Sequence, residues 1–316
     1  MYLDDFVEII GGKVCNTPQL SYINSATSRL DSLLKGDAFI LRNSADLGEA
    51  INRGAYAIVS ESFCEISDDE VALVLVDSLQ NALNRFVKYM QLTNGIEILR
   101  FERISFKLAS AMSRDKNVAF ADNIFDLVES LHCRIIIINF EALFFEVKEL
   151  KNTSNLLFNI LYQTLFGLEI EYENNIYELI LPSLFVRDLN NILHFFKLKR
   201  IEFKISFDEN LFLPIFINTS ARAVRYGQSM RFIFATRDER LLKRFVDFAL
   251  SAKWGRTLLL SNEALNLSQN IECKIYQNND DLIECFLLEK YHFFVIYGVE
   301  QSEIKLKDEC VEQSLF

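Results

Sequence analysis

Residues able to do chemistry are few and scattered in this chain of 316 residues. Each of the three histidines, His132, His194 and His292, lies beside an apolar run, and none has a Ser or Cys nucleophile at a spacing that makes a catalytic pair. His132 and Cys133 are adjacent, but neighbours on a strand point to opposite faces, which argues against a thiol–imidazole pair. The six cysteines, Cys15, Cys64, Cys133, Cys273, Cys285 and Cys310, include no CxxC pair and no histidine at metal-ligand spacing. They read as reduced thiols, with no metal expected. Asp280 and Asp281 fit the opening of a helix, where carboxylates complement the macrodipole. Lys197, Lys199 and Arg200 form a basic cluster among aromatics, either a nucleic-acid contact or a solvated face. With 44 acidic against 33 basic residues and a net charge of −11, the solvated face is favoured and no nucleic-acid partner is expected.

Phosphate chemistry needs closely spaced backbone N–H groups, which glycines permit, and a lysine beside them. The chain has one GGK, at Gly11, Gly12 and Lys13, followed by Val14 and Cys15. It reads as the C-cap of a first helix. Between Gly95 and Gly167 there is no glycine at all. Lys107 lies on an expected helix and could attract an anion, or be a solvated lysine.

The elements that must position these residues fall into three blocks. In the first, a helix carrying Phe6, Ile9 and Ile10 precedes a strand near 37–41, a helix from about 47, strands at 55–60 and 71–77, and a helix over 79–90. Thr93, Asn94 and Gly95 punctuate its end. In the second, helices are expected at 104–113, 125–131, 156–165 and 184–196. An apolar central strand is expected at 133–140, a hairpin at 168–172 and 176–181, and strands at 201–207 and 213–218. The third alternates strands at 231–235, 256–260, 272–276 and 293–297 with helices at 239–252 and 280–290, a small Rossmann-like parallel sheet. From Gln301 a flexible polar tail is expected. The fold class is therefore α/β, with domains 1–95, 96–227 and 228–316.

Half the residues are hydrophobic, with 28 Phe against 10 Gly and 3 Pro, enough apolar surface for well-buried cores. The start, MYLDDFVEIIGG, is acidic where a secretory signal carries positive charge. The most apolar run, 135–138, is far below the roughly 20 residues that span a bilayer. A soluble, cytoplasmic protein with no membrane span is expected.

Residues 24–61, NSATSRLDSLLKGDAFILRNSADLGEAINRGAYAIVSE, place Ser28 and Arg29 before a Gly36–Asp37 turn, an apolar strand, and a helix ending at Gly54 and Ala55 before another strand. This order, followed by VALVLVDSLQNAL, resembles the N-terminal UDP-binding domain of bacterial Mur ligases over about the first 90 residues. On the residues alone, Gly36 and Asp37 make a turn and Gly54 ends a helix at positive φ. The resemblance implies a three-domain Mur-like architecture with a reduced central domain. It also makes Ser28 and Arg29 the candidates for contacting a uridine nucleotide, a hydroxyl and a forked guanidinium suiting phosphate or ribose oxygens. The other reading is a helix-capping Ser beside a solvated Arg.

The chain departs from the family where the chemistry sits. Only Arg42 to Asp46 separate Leu41 from Leu47, where the family has a longer segment often containing Asp-Gly-His. The stretch GIEILRFERISFKLASAMSRDKNVAF stands where the family places a glycine-rich loop ending in Gly-Lys-Thr. Glu141 falls near the family's Mg²⁺-binding carboxylate, but Phe140, Ala142 and Leu143 replace small polar neighbours, so it reads as a surface Glu. At 186–191, Asn190 or Asn191 answers to the family's His-Asn pair, with the His absent and Phe195 and Phe196 replacing small residues. At 217–239 the family's Asp-Tyr-Asn-Ala-Asn-Pro motif is gone.

The resemblance with its losses implies a non-catalytic homologue, a pseudoenzyme binding or scaffolding in peptidoglycan precursor synthesis or cell-shape control. No cofactor is expected, and the partners would be a UDP-linked muramyl precursor and other cell-wall synthesis proteins. Two alternatives stay open: an active ATP-dependent amide ligase with an atypical phosphate site, and an interaction module that binds no nucleotide.

Overall fold

The computed structural model describes residues 1–316 apart from 20, 67, 142–143, 266–270 and 307–316. Helix α1 (Leu3–Ile10) buries Leu3, Phe6 and Ile10 on one side, and Gly11 ends it at φ 68°, the left-handed C-cap that a glycine adopts without strain. Strands β1 (Lys13–Val14), β2 (Ala26–Thr27), β3 (Ala38–Ile40), β4 (Ala57–Ser60) and β5 (Ala72–Leu75) form a sheet in the order β1-β5-β4-β3-β2. It is parallel except for β1 at one edge. Every residue of β3 and β4 is buried, as strands covered on both faces require. Helix α2 (Leu47–Asn52) lies between β3 and β4, and α3 (Leu79–Asn94) follows β5, capped by the Ser78 side chain and ended by Gly95.

The chain continues through β6 (Glu97–Arg100), α4 (Arg103–Met112), β7 (Val118–Ala121), α5 (Ile124–Glu129), β8 (Ile135–Ile138) and β9 (Lys148–Glu149). These strands make a parallel sheet ordered β7-β8-β6-β9. The four isoleucines of β8 are at most 1 % exposed, each contributing about 1.5–3 kcal/mol by burial. One apolar core runs across both sheets and includes Phe6, Phe86, Ile98 and Ile136. The rings of Phe6 and Phe86 meet edge-on at 5.4 Å and lock α1 to α3.

Strands β10 (Asn159–Gln163), β11 (Gly167–Tyr172) and β12 (Asn175–Ile180) form an antiparallel sheet, and α6 (Val186–Lys199) follows. The final elements are β13 (Ile215–Ile217), β14 (Ala223–Val224), β15 (Phe232–Thr236), α7 (Glu239–Ser251), β16 (Thr257–Ser261), β17 (Glu272–Ile275), α8 (Asn279–Phe286) and β18 (Phe293–Tyr297). They build a sheet ordered β14-β13-β15-β18-β16-β17, whose last four strands are parallel, the Rossmann-like arrangement expected of this region. The buried Arg231 donates to the carbonyls of Tyr291, Phe286, Leu288 and Asn218, tying the end of α8 to the start of β15. Desolvation pulls this guanidinium below its ordinary pKa, with Glu289 opposing.

By contacts the chain divides into two compact units, Met1–Leu157 with Asp188–Phe207, and Phe158–Arg187 with Asp208–Phe316. The sequence boundaries at 95 and 227 fall on glycines at positive φ, Gly95 at 66° and Gly227 at 86°.

Three element expectations are corrected. The helix at 156–165 is replaced by β10, because pairing with β11 outweighs local periodicity there. Residues 201–207 make a single bridge, Ser113 to Phe203, in place of a strand. The tail expected from Gln301 begins with a 3-10 turn at Gln301–Glu303, and Ile304 packs into the core around Phe294. The remainder of that tail, residues 307–316 with Cys310, lies outside the described residues.

Candidate functional site

Ser28 and Arg29 follow β2, the edge strand of the first sheet. Helix α5 is brought against them. Its N-cap Asn123 accepts from the amides of Phe125 and Asp126, and the three-residue spacing of Asp126 and Glu129 puts both carboxylates on one helical face. Glu129 Oε1 accepts from the Ser28 amide at 2.6 Å and the Ser28 hydroxyl at 3.1 Å. The Thr27 hydroxyl lies 2.9 Å from both oxygens of the same carboxylate. Arg29 pairs with Asp126, whose other oxygen accepts from Asn123 Nδ2 at 2.7 Å. The guanidinium of Arg42 covers the Phe125 ring of the same helix at 4.2 Å.

An amide N–H, two hydroxyls and a guanidinium therefore converge on two carboxylates. Such a donor set suits an oxyanion, and charge-assisted bonds of this kind are about twice as strong as neutral ones. The reading of Ser28 as a helix cap is corrected: the 3-10 turn Leu30–Ser32 has Arg29 at its N-cap and no side-chain cap bond. Thr27, Asp126 and Glu129 were invisible as site residues, since Glu129 lies 102 positions from Thr27 and no motif joins them.

The passage from β6 to α4 lies within residues 96–166, which hold no glycine. It consists of Phe101 and Glu102 only. Phe101 is buried edge-on against Phe195, with 5.1 Å between ring centroids. Glu102 occupies the N-cap position of α4. In the first turn, Ile104, Ser105 and Phe106 are buried, and the Ser105 hydroxyl donates to Asp188 Oδ1 at 3.1 Å. Lys107 sits further along α4.

Glu141 is exposed, 4.0 Å from Arg100 Nη1, while the other terminal nitrogen of Arg100 pairs with Glu149 at 2.8 Å. Its neighbours Ala142 and Leu143 lie outside the described residues. Asn190 and Asn191 are buried and turned to structural use. Asn190 accepts from the Leu157 amide and donates to Thr153 Oγ1 and the Asn155 carbonyl, while Asn191 accepts from Thr153 and donates to Asn152. His194 Nε2 lies 2.8 Å from the Asn155 carbonyl.

The basic cluster is split. Lys199 pairs with Glu97 at 2.6 Å and is committed, not solvated as expected. His132 contacts the Glu129 carbonyl through Nδ1, while the Cys133 thiol is buried and pushed up by that burial, with Asp115 adding to the effect. The two form no nucleophilic pair. Cys64, Cys273 and Cys285 are likewise raised by burial, and among the described residues no three His, Cys, Asp or Glu side chains gather as a metal site. A cleft of about 570 Å³ is lined by Lys88, Gln91, Gly95, Glu97, Glu146 and Lys148, apart from Ser28 and Arg29. Among the described residues no helix is long and apolar enough to cross a membrane.

No protein-family model and no curated protein matches this chain. Solved structures do. The chain is similar to a crystal structure of MurF from Acinetobacter baumannii, at 9 % identity over 96 % of each chain with a TM-score of 0.52. It also aligns with the MurF ligase of Thermotoga maritima in complex with ADP, at 12 % identity over 88 % of this chain and 94 % of that one, with a TM-score of 0.47. At such identities the first likeness speaks for fold alone, and it agrees with the order of parallel sheets and helices described above: the chain has a mixed α/β, Mur ligase-like fold.

Proposed function

We propose that this protein is a non-catalytic relative of the Mur ligases, with a binding or scaffolding role in peptidoglycan precursor synthesis or cell-shape control. In this reading, parts 1–95, 96–227 and 228–316 answer to the three Mur domains. The observation that carries it is the two-residue turn between β6 and α4, with a buried Phe101 and an acidic Glu102 where a phosphate loop would need small residues and a lysine. Phosphoryl transfer depends on positioning and charge stabilisation by such a loop and its metal. Losing both costs several powers of ten in rate, each about 1.4 kcal/mol of barrier.

The ligand of this reading is a UDP-linked muramyl precursor contacted by Ser28 and Arg29, which would have to compete with Glu129 and Asp126 for the same donors. That competition favours a second reading, an interaction module that binds no nucleotide. Calorimetric titration with UDP-N-acetylmuramyl-peptides and separately with Mg·ATP, beside a phosphate-release assay with amino-acid and dipeptide acceptors, tests both. The expected result is no Mg·ATP binding and no phosphate release. Acceptor-dependent release would sink the proposal, whereas heat from the muramyl nucleotide alone would decide for the first reading over the second.

A further inference from the structure

The sheet of β10, β11 and β12 has two edges that pair with no further strand among the described residues, and they differ in kind. On the β12 side the strand carries Glu178. On the β10 side all five residues, Asn159, Ile160, Leu161, Tyr162 and Gln163, are exposed, with Leu161 at 49 % and Tyr162 at 62 %. No charged residue occurs between Lys151 and Glu169, in a chain where 24 % of residues are charged. Edge strands present rows of backbone N–H and C=O groups, and proteins ordinarily block them with lysine, proline or inward charge. β10 has none of these. It does carry a further edge-blocking device, the bulge at Leu161, but Asn159, Ile160, Tyr162 and Gln163 stay in register with β11.

What completes a row of backbone donors and acceptors is another strand, and charge selects which one. Two copies of this chain, each at −11, repel one another overall, and a contact through a neutral surface adds no local repulsion to this. Antiparallel pairing of β10 with β10 brings no charged side chain opposite another and covers Ile160 and Leu161 together with the exposed Leu156. Because the same edge is used twice, the contact closes as a two-fold dimer, while pairing β10 with β12 would leave edges free and build an open filament. We infer that a second copy of this chain docks along β10, giving a continuous sheet with three strands from each copy.

Sedimentation equilibrium of the full chain from about 1 to about 200 µM, paired with amide exchange at 159–163, tests this. The expected result is a monomer–dimer equilibrium, with β10 amides gaining protection as concentration rises. Leu161→Lys, which sets like charges across the two-fold, should weaken dimerisation by about tenfold or more. Ile176→Lys, on the opposite edge strand, should leave it unchanged. Tyr162→Lys serves as the second variant if Leu161→Lys fails to keep the wild-type circular dichroism. A monomer at every concentration overturns the inference, as does a dimer indifferent to both β10 variants or broken by Ile176→Lys. Protection at 159–163 that does not depend on concentration means the chain covers its own edge, and overturns it too.

Discussion

Glu97, at the start of β6, shows how single residues here are spent on holding elements. Its carboxylate accepts from Lys199 at 2.6 and 2.7 Å and from Lys148 at 3.2 Å, joining β6 to the end of α6 and to β9. Burial pushes the Glu97 carboxyl up, but the hydrogen bonds and charges of Lys199 and Lys148 together outweigh it and hold it below the usual range. A depressed carboxylate contributes stability above its unfolded pKa and loses it as pH falls through the folded value. Glu97→Gln should therefore cost about 1–3 kcal/mol near neutrality, and that difference from wild type should shrink as pH falls from about 5 to about 3. Urea unfolding of both proteins across this range is the measurement, and a difference that does not change with pH would contradict the ion-pair account. Glu129 is the same kind of residue with a different consequence. By accepting from the Thr27 hydroxyl and from the amide and hydroxyl of Ser28, it ties the end of β2 to α5.

At the scale of elements, the segment ahead of β10 is fastened by α6. Asn190 accepts from the Leu157 amide and donates to Thr153 Oγ1 and the Asn155 carbonyl. Asn190→Ala leaves the Leu157 amide without the oxygen that Asn190 supplies and should destabilise the protein by about 1–3 kcal/mol. The amide of Leu157 should exchange faster than in wild type, and unchanged exchange there would refute the fastening role. The same stretch explains a misread helix. Leu156, Leu157, Phe158, Ile160 and Leu161 satisfy helical and strand spacing alike, so local pattern cannot separate the two. What decides is β11, whose Leu168, Ile170 and Tyr172 alternate inward and offer a ready ladder. Strands β6 and β7 leave little local signal for a related reason: each is four residues long, and β6 has Glu97 and Arg100 at its ends.

At the scale of the whole molecule, the two compact units interleave in sequence, since Phe158–Arg187 belongs to one while the flanking Leu157 and Asp188 belong to the other. Cooperative opening should follow the units and not the sequence order. Under mild urea, amides of Met1–Leu157 and Asp188–Phe207 should exchange as one group, and those of Phe158–Arg187 with the described residues from Asp208 onward as another. Exchange groups bounded instead at 95 and 227 would support the sequence division over the contact division. The sequence by itself determined many of the parallel α/β elements, β6 and β7 excepted, because strands buried on both faces, such as Ile135–Ile138, and helix stops, such as Gly11 and Gly95, are written in local residue types. It also determined the lack of glycine from 96 to 166, a matter of composition. Only the tertiary structure decided what Ser28 and Arg29 face, that Lys199 is paired and that 159–163 is an exposed edge strand with no second neighbour among the described residues. Each depends on partners far away in the chain, and long-range pairing leaves no periodic trace in local sequence.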